Sequence, residues 1–384
     1  MAEKNTTLED RIRLIGSRFD ELNTLFIEEI AAQIRAFGEL SRDNIRRMVT
    51  MTIMNRTMAM LNVEMGRTVM QAVSDLGPVY RQTVDNVLAS PRFKRALAEN
   101  PLPAADSVAL SRYAEAVSRQ TAGTIYNLSN TTVMSEDYRH AIDMAILSAS
   151  SGAVDYRVAM RQVVQDLGRN GLRVQYESGL HRRLDTAVRQ NITNGVRQVY
   201  QHCADIVGEK LGYDAIELTA HLNSAPDHEP VQGRVFMNDE FAKMQAGSAS
   251  RDIDGTVHAG FRRSIGEWNC RHMALPFSTE YNTRTYTPER LQEMADQNAE
   301  GFTLGGKHYS MYQGTQKMRE LETEIRRQKD TSIAASAAGD KDLQRASQLR
   351  INSLVGQYRA LSEASGLSRN YRRIYVPGFK SIRV

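Results

Sequence analysis

Apolar residues recur at helical spacing through the first 200 residues. Leu8, Ile12, Ile15, Phe19 and Leu22 fall on one face of a helix. Leu25, Ile30, Ile34 and Phe37 continue the pattern, and Gly38 follows as a stop. Ser41 is placed to cap the next helix, whose Met48, Met51, Met58, Met65 and Val69 form a methionine stripe. Such a stripe is either core packing or an adaptable partner surface, because the thioether side chain is flexible and polarizable. Gly77-Pro78 and Asn100-Pro101-Leu102-Pro103 predict breaks. Helix resumes from Ser107, Asn127–Thr132 reads as a polar connector, and Ser135-Glu136-Asp137 starts a further helix. The segment Asp155–Leu167 predicts a helix ending at Gly168 and Gly171. Tyr176–Leu211 is a long amphipathic stretch on Leu180, Leu184, Val188, Ile192, Val196 and Val199. Its polar face carries Arg182, Arg183, Arg189 and Arg197, a face that is solvated or could meet a polyanion.

The period then drops to two. Ile216, Leu218 and Ala220 alternate with Glu217 and Thr219, which predicts a half-buried strand, and Gly233–Phe236 is a second, shorter one. Pro226, Pro230, Gly247, Gly255, Gly260 and Gly266 punctuate the region with loops. Helix restarts at Thr287-Pro288-Glu289-Arg290, with threonine as cap and proline at the first helical position. Met311, Met318, Leu321 and Ile325, then Ser347, Ile351, Leu354, Tyr358 and Leu361, step by three, four or seven. Ala337–Asp340 lies between them, so an antiparallel helical hairpin is predicted, its narrow apolar seam leaving it free to project. The fold class is mainly α with a small α+β domain. The division is a helical N-terminal region (1–204), an α+β domain (205–286), and C-terminal helices, hairpin and basic tail (287–384).

Composition narrows the classes. The 384 residues are 41% hydrophobic and 24% charged, which supports a folded chain. The N-terminal residues include acids and no apolar core, so they do not read as a signal peptide. No apolar run reaches the ~18–20 residues of a membrane helix. Two cysteines do not make a disulfide framework, and Cys203, on the apolar pattern with Val199 and Val207, reads as a buried small hydrophobe.

The net charge of +4 is concentrated at one end. From Gly366 onward the chain carries Arg369, Arg372, Arg373, Lys380 and Arg383 with no Asp or Glu. Tyr371, Tyr375 and Phe379 are interleaved with them. Pro377-Gly378 forbids a continuous helix, so an extended strap is expected, and its removal is expected to leave the fold intact. Its basic and aromatic side chains suit an acidic protein surface or nucleic-acid phosphates and bases.

The candidate chemistry lies in residues 220–272, which hold the only Trp, one of the two Cys and four of the eight His. His221, His228, Cys270 and His272 are candidate zinc ligands, since zinc takes imidazole nitrogen and thiolate sulfur in a tetrahedron. The spacings, His-x6-His and Cys-x-His, are not those of standard fingers, and hydrogen bonding to loop backbone is the competing reading. A metal-dependent nuclease would ask His228 or His258 to activate water beside Asp227 or Asp239. A cysteine nucleophile would be Cys270 with His228 or His272 as base. There is no Walker loop, dinucleotide fingerprint, HExxH or GxSxG.

One set of residues resembles a known family. Ala220-His221, Pro226-Asp227-His228, Gln232-Gly233-Arg234-Val235-Phe236, Asn269-Cys270-Arg271-His272 (after Trp268) and Tyr286–Leu291 resemble the phage minor capsid protein 2 family, related to MuF-type head-morphogenesis proteins. The upstream Gly179–Thr193 and the C-terminal hairpin fit as well, so the resemblance covers residues 170–384 and more loosely the rest. It implies a virion structural protein, not an enzyme, made in the host cytoplasm and associated with the portal or head interior. Its implied partners are the portal, the major capsid protein or both. The tail residues Arg369, Tyr371, Arg372, Arg373, Tyr375, Lys380 and Arg383 are, from their own charge and aromatic character, the candidate contact with such an acidic surface or with packaged double-stranded DNA. The implied role is assisting head assembly, DNA packaging or ejection. No resident cofactor is implied, zinc on the His/Cys cluster aside. The opposing class is a metal-dependent nuclease or toxin-like enzyme. Gly247–His258 reads as an inserted loop, and no toxin-like domain follows the hairpin.

Overall fold

The computed structural model describes residues 7–39, 44–133, 156–265, 270 and 272–384. Among the described residues it is mainly helical, with only small antiparallel sheets. The predicted cap at Ser41 and helix start at Ser135-Glu136-Asp137 fall outside the described residues, as do Trp268, Asn269 and Arg271. Helix α1 (Leu8–Glu39) starts where Thr7 Oγ1 accepts the Asp10 N–H, with Glu9 and Asp10 in its first turn suiting the positive end of the helix dipole. It is followed by α2 (Asn44–Ser74), α3 (Leu76–Leu88), α4 (Pro91–Glu99) and α5 (Ala104–Asn130). The break expected at Gly77-Pro78 lies earlier, at Asp75, because proline is tolerated in the first turn of α3. The connector expected at Asn127–Thr132 is mostly the last turn of α5, since Leu128 packs into the core and holds the helix to Asn130.

Strand β1 (Thr132–Val133), helix α6 (Tyr156–Asn170) and strands β2 (Arg173–Gln175) and β3 (His181–Arg183) precede α7 (Leu184–Lys210). The three strands form one antiparallel sheet with Val174 opposite Thr132 and Arg182. The long stretch read as helix from Tyr176 therefore begins with a hairpin turn, and Leu180 is exposed on it. Gly168 does not end α6. A Cβ there would lie 2.4 Å from the backbone of Thr331, so glycine serves a helix–helix close approach.

The middle region pairs β4 (Ala215–Leu218) between β5 (Val235–Met237) and β8 (Ala274–Phe277). Helix α8 (Asn238–Gln245) and the hairpin of β6 (Ser250–Arg251) and β7 (Val257–His258) sit between β5 and β8 in the chain. Glu217, expected on the solvent side of β4, is instead 1% exposed, so both faces of this strand are covered. Next come α9 (Pro288–Glu300), the hairpin of β9 (Phe302–Leu304) and β10 (Lys307–Tyr309), and helices α10 (Met311–Ala338) and α11 (Lys341–Ser365). Ser310 and Gln313 make a reciprocal capping box at the start of α10.

The helical hairpin does not project. Met318, Ile325, Leu354, Tyr358 and Leu361 fill its own seam, but Ile333, Ala334, Ala335 and Leu343 enter the main core with α1, α3, α5, α6 and α7. Outside that seam α10 also carries Arg326, largely covered, and Asp330, fully buried, in an ionic network. Arg326 donates to Asp20 and Asp185, and Arg183 to Asp185 and Asp330. Opposite charges from α1, β3, α7 and α10 thus meet where each alone looked like a polar surface. Arg189 joins through Asp185 at 2.6 Å, Arg182 donates to Gln190, and Arg197 to loop carbonyls, so the arginine face of α7 is engaged internally.

The methionine stripe of α2 resolves the same way where its side chains are described. Met58, Met65 and Val69 are core residues. The C-terminal segment is an extended strap after a short 3-10 turn at Tyr371–Ile374, but it is part of the fold. Ile374 packs into the hairpin core and Val376 into the main core. Thr24 of α1 donates to the Pro377 carbonyl, Lys329 of α10 to that of Ile374, and Gln348 of α11 accepts the Ile382 N–H. Truncation would uncover both cores, which argues against the expectation that its removal leaves the fold intact.

Candidate functional site

A turn beginning at Ala225 positions His228, and the approach to β8 carries Cys270 and His272. The two segments meet over the small core of Leu218, Val231, Phe236, Phe241, Met244 and Ala274. Helix α7 fixes the second segment from behind, where Arg197 donates to the carbonyls of both Cys270 and His272. Gln232-Gly233-Arg234 follows the turn. Gly233 has φ 69°, and a Cβ there would lie 2.3 Å from Leu291, so this position requires glycine both for its left-handed backbone and for the contact with α9. Arg234 reaches Asp252 at 3.5 Å.

Among the described residues, His228, Cys270 and His272 bring one ligand atom each within 4.8 Å of one another. Cys270 Sγ lies 3.2 Å from His228 Nδ1 and 3.4 Å from His272 Nδ1. Exposure is slight for all three residues: 2% for His228, 5% for Cys270 and 2% for His272. His221, the fourth residue of the sequence-based set, takes another position. Its ring stacks on that of His272 at 4.4 Å, and its Nδ1 faces the Leu222 carbonyl at 3.0 Å. Burial pushes the His228 imidazole down, but hydrogen bonds to Cys270 and the Arg263 carbonyl, with the nearby Cys270 and Asp227 charges, carry its pKa above the ordinary value.

Of the pairs named for water activation, only His228 and Asp227 lie near each other, and both have other partners. His258 is bound to Asp252 at 2.9 Å rather than to Asp239, which pairs with Lys243. His228 Nε2 faces the Arg263 carbonyl at 2.8 Å and lies 3.9 Å from Asp227, which itself pairs with Arg263. Sequence reasoning passed over Gln232 as a hydrogen-bonding residue at this site. Its Oε1 accepts from the His221 backbone N–H and faces His272 Nε2, both at 3.1 Å. The signal was its place four residues after His228, on the same turn.

The tail residues are spread over two sides of the strap. Tyr371, Arg372, Tyr375, Lys380 and Arg383 are exposed, while Arg373 reaches Glu322 at 3.4 Å and Arg369 lies over the Tyr371 ring.

The family model for phage minor capsid protein 2 matches residues 27–362, from inside α1 to inside α11. The chain belongs to the phage minor capsid protein 2 family. In this family member the match takes in the helical body, the His/Cys cluster and the hairpin, reaching further towards the N-terminus than the motifs alone indicate and stopping short of the strap. No curated protein and no solved structure matches this minor capsid protein. Among the described residues no helix is long and apolar enough to cross a membrane. Membership supports a structural role in the virion alongside other head components.

Proposed function

We propose that the chain is a non-enzymatic minor head protein that docks near the portal through its basic strap and assists head assembly, DNA packaging or ejection. The observation that carries the head role is the continuous family match over residues 27–362. The strap supports the docking part. Inward Ile374 and Val376 alternate with outward Tyr375, so the backbone is locked down while Arg372, Tyr375, Lys380 and Arg383 face away. A pre-ordered basic and aromatic row meets an acidic protein surface or phosphates without first paying for its own ordering. The enzyme reading fits less well. A nuclease centre must admit a phosphodiester, and all three residues of the cluster are at least nine-tenths buried.

The test replaces Arg372, Lys380 and Arg383 together with Glu, leaving Ile374 and Val376 in place. Heads purified from infected cells would contain the wild-type protein and several-fold less of the variant, measured by mass spectrometry. Equal incorporation would end the docking proposal. Contact with DNA would add binding that weakens steeply with salt, with a shallower slope in the variant. Incubation of the protein with DNA and magnesium, manganese or zinc is expected to leave the DNA intact, and cleavage would restore the enzyme reading.

A further inference from the structure

Protons at the His/Cys cluster can be placed from the hydrogen bonds around it. His228 Nε2 lies 2.8 Å from the carbonyl oxygen of Arg263. A carbonyl only accepts, so Nε2 carries the proton and neutral His228 presents a bare lone pair at Nδ1. Gln232 Oε1 accepts the backbone N–H of His221, which fixes the orientation of that amide. The same Oε1 lies 3.1 Å from His272 Nε2, so this nitrogen also carries a proton, and neutral His272 presents its lone pair at Nδ1. Both lone pairs meet Cys270 Sγ, at 3.2 and 3.4 Å. One thiol proton cannot serve two imidazole lone pairs. Three basic donors therefore converge in a place where each side chain is at least nine-tenths buried.

We propose that His228 Nδ1, Cys270 Sγ and His272 Nδ1 hold a structural zinc ion that pins the turn after Ala225 to the entry of β8. Zinc resolves the surplus of lone pairs, taking two neutral imidazoles and a thiolate while the thiol proton leaves to solvent, with one water completing the tetrahedron. Zinc bonds of about 2.3 Å to sulfur and about 2.0–2.1 Å to nitrogen in a tetrahedron put ligand atoms about 3.3–3.6 Å apart. The sulfur-to-nitrogen distances already approach that edge. The surroundings are those of a metal-bound histidine pair. Each ring donates its other N–H to an oxygen, the Arg263 carbonyl or the Gln232 amide, which sets the tautomer and the ring orientation. Arg197 adds a third hold by gripping the carbonyls of both Cys270 and His272. The region has two short sheets and a small core, so a cross-link between segments 40 residues apart in the chain does what the core alone does weakly. His221, stacked on His272, stands outside the three-donor set.

The full chain, purified without a histidine tag, would be analysed for metals by mass spectrometry and then reconstituted with cobalt(II). The expected result is one zinc per chain and, with cobalt, a thiolate-to-metal charge-transfer band together with strong visible bands of tetrahedral coordination. Cys270→Ser is expected to lose the charge-transfer band. Should that variant fail to fold, Gln232→Ala serves, since it leaves the three donors and removes the hydrogen bond behind one of them. Its zinc affinity is expected to fall about 10–100-fold, the usual cost of losing such support. A chelator should lower the melting temperature of the wild type, and zinc should restore it. The proposal is overturned if the wild type holds no zinc and gives no cobalt spectrum, or if Cys270→Ser keeps the wild-type charge-transfer band. It is overturned equally if Gln232→Ala binds zinc as tightly as the wild type.

Discussion

Arg92, in the first turn of α4, donates to the carboxylate of Glu217 in the middle of β4, and the pair is one of the ties between the helical body and the small sheet. Glu217 is 1% exposed and its other hydrogen bonds come from the backbone and hydroxyl of Thr285, at 2.6 and 2.7 Å. The Arg92 guanidinium also donates to the Pro276 carbonyl on β8, and its own carbonyl accepts from Tyr213 and Asn282. Removing one member leaves a buried charge without its counterpart. Arg92→Ala is expected to destabilise the protein by about 3–5 kcal/mol. The double variant Arg92→Ala with Glu217→Gln should cost clearly less than the sum of the singles. Chemical denaturation of the four proteins measures this, and strict additivity would mean that the pair is not coupled.

The strap carries stability as well as charge. Ile374→Ala, which removes a side chain packed with Ile325, Leu354 and Leu361, is expected to cost about 2–5 kcal/mol. Deleting residues 368–384 should cost more, because Val376 and the bonds from Thr24 and Lys329 go as well. Thermal melts would show it; an unchanged melting temperature would mean that the strap only rests on the surface.

The turn of the helical hairpin should resist proteolysis. Arg161 of α6 holds Asp340 through two hydrogen bonds of 2.7 and 2.9 Å, and Arg35 of α1 lies against Gly339. Arg161→Ala is expected to make the Ala338-Gly339 region the first site cut under limited digestion, since a released loop tip is what proteases find. If the wild type is already cut there, the hairpin swings away from the body in solution.

Burial, and next the negative charge of Asp185, push the Asp20 carboxyl up to about 7, against the pull of Arg326, Arg189 and Arg183. The same arginines, led by Arg326, overcome the burial of Asp185 and hold it well below the usual carboxylate range. The folded protein therefore keeps a proton on Asp20 between its unfolded pKa near 3.8 and about 7, where the unfolded chain has released it. Stability from this group is fully present below that window and is lost as pH rises through it. Asp20→Asn, which cannot ionise, should flatten the pH dependence of unfolding between pH ~4 and ~7. Parallel wild-type and variant profiles would assign the titration elsewhere.

Local pattern made much of the architecture legible. The apolar steps from Leu8 to Phe37 describe α1 to within two residues of its end, and those from Met311 to Leu361 describe both arms of the hairpin. What the pattern missed was pairing between distant segments. Arg183 read as part of a polar face and Glu217 as the solvent side of a strand, because nothing in their neighbourhoods reveals an opposite charge on an element far along the chain. Gly168 read as a helix end because the Thr331 backbone pressed against it comes from α10. At the cluster the residue types were visible as rare His and Cys. That His221 stacks while Gln232 orients His272 depends on the angle between two loops, which spacing does not encode.

Helix α1 lies against α10, with Asp20 bound by Arg326 and Thr24 by the carbonyl of Pro377. In time, this means that α1 cannot take its full seat until about 300 further residues have followed it from the ribosome. At about 5–20 residues per second that wait is on the order of 15–60 s. During it, Phe19, Phe26 and Ile30 of α1 have only part of their final cover and are open to chaperones or to neighbouring chains. The finished fold therefore reports that synthesis has run to the strap. Were assembly to select for that closed body, nascent fragments would be kept out of the growing head without any separate check.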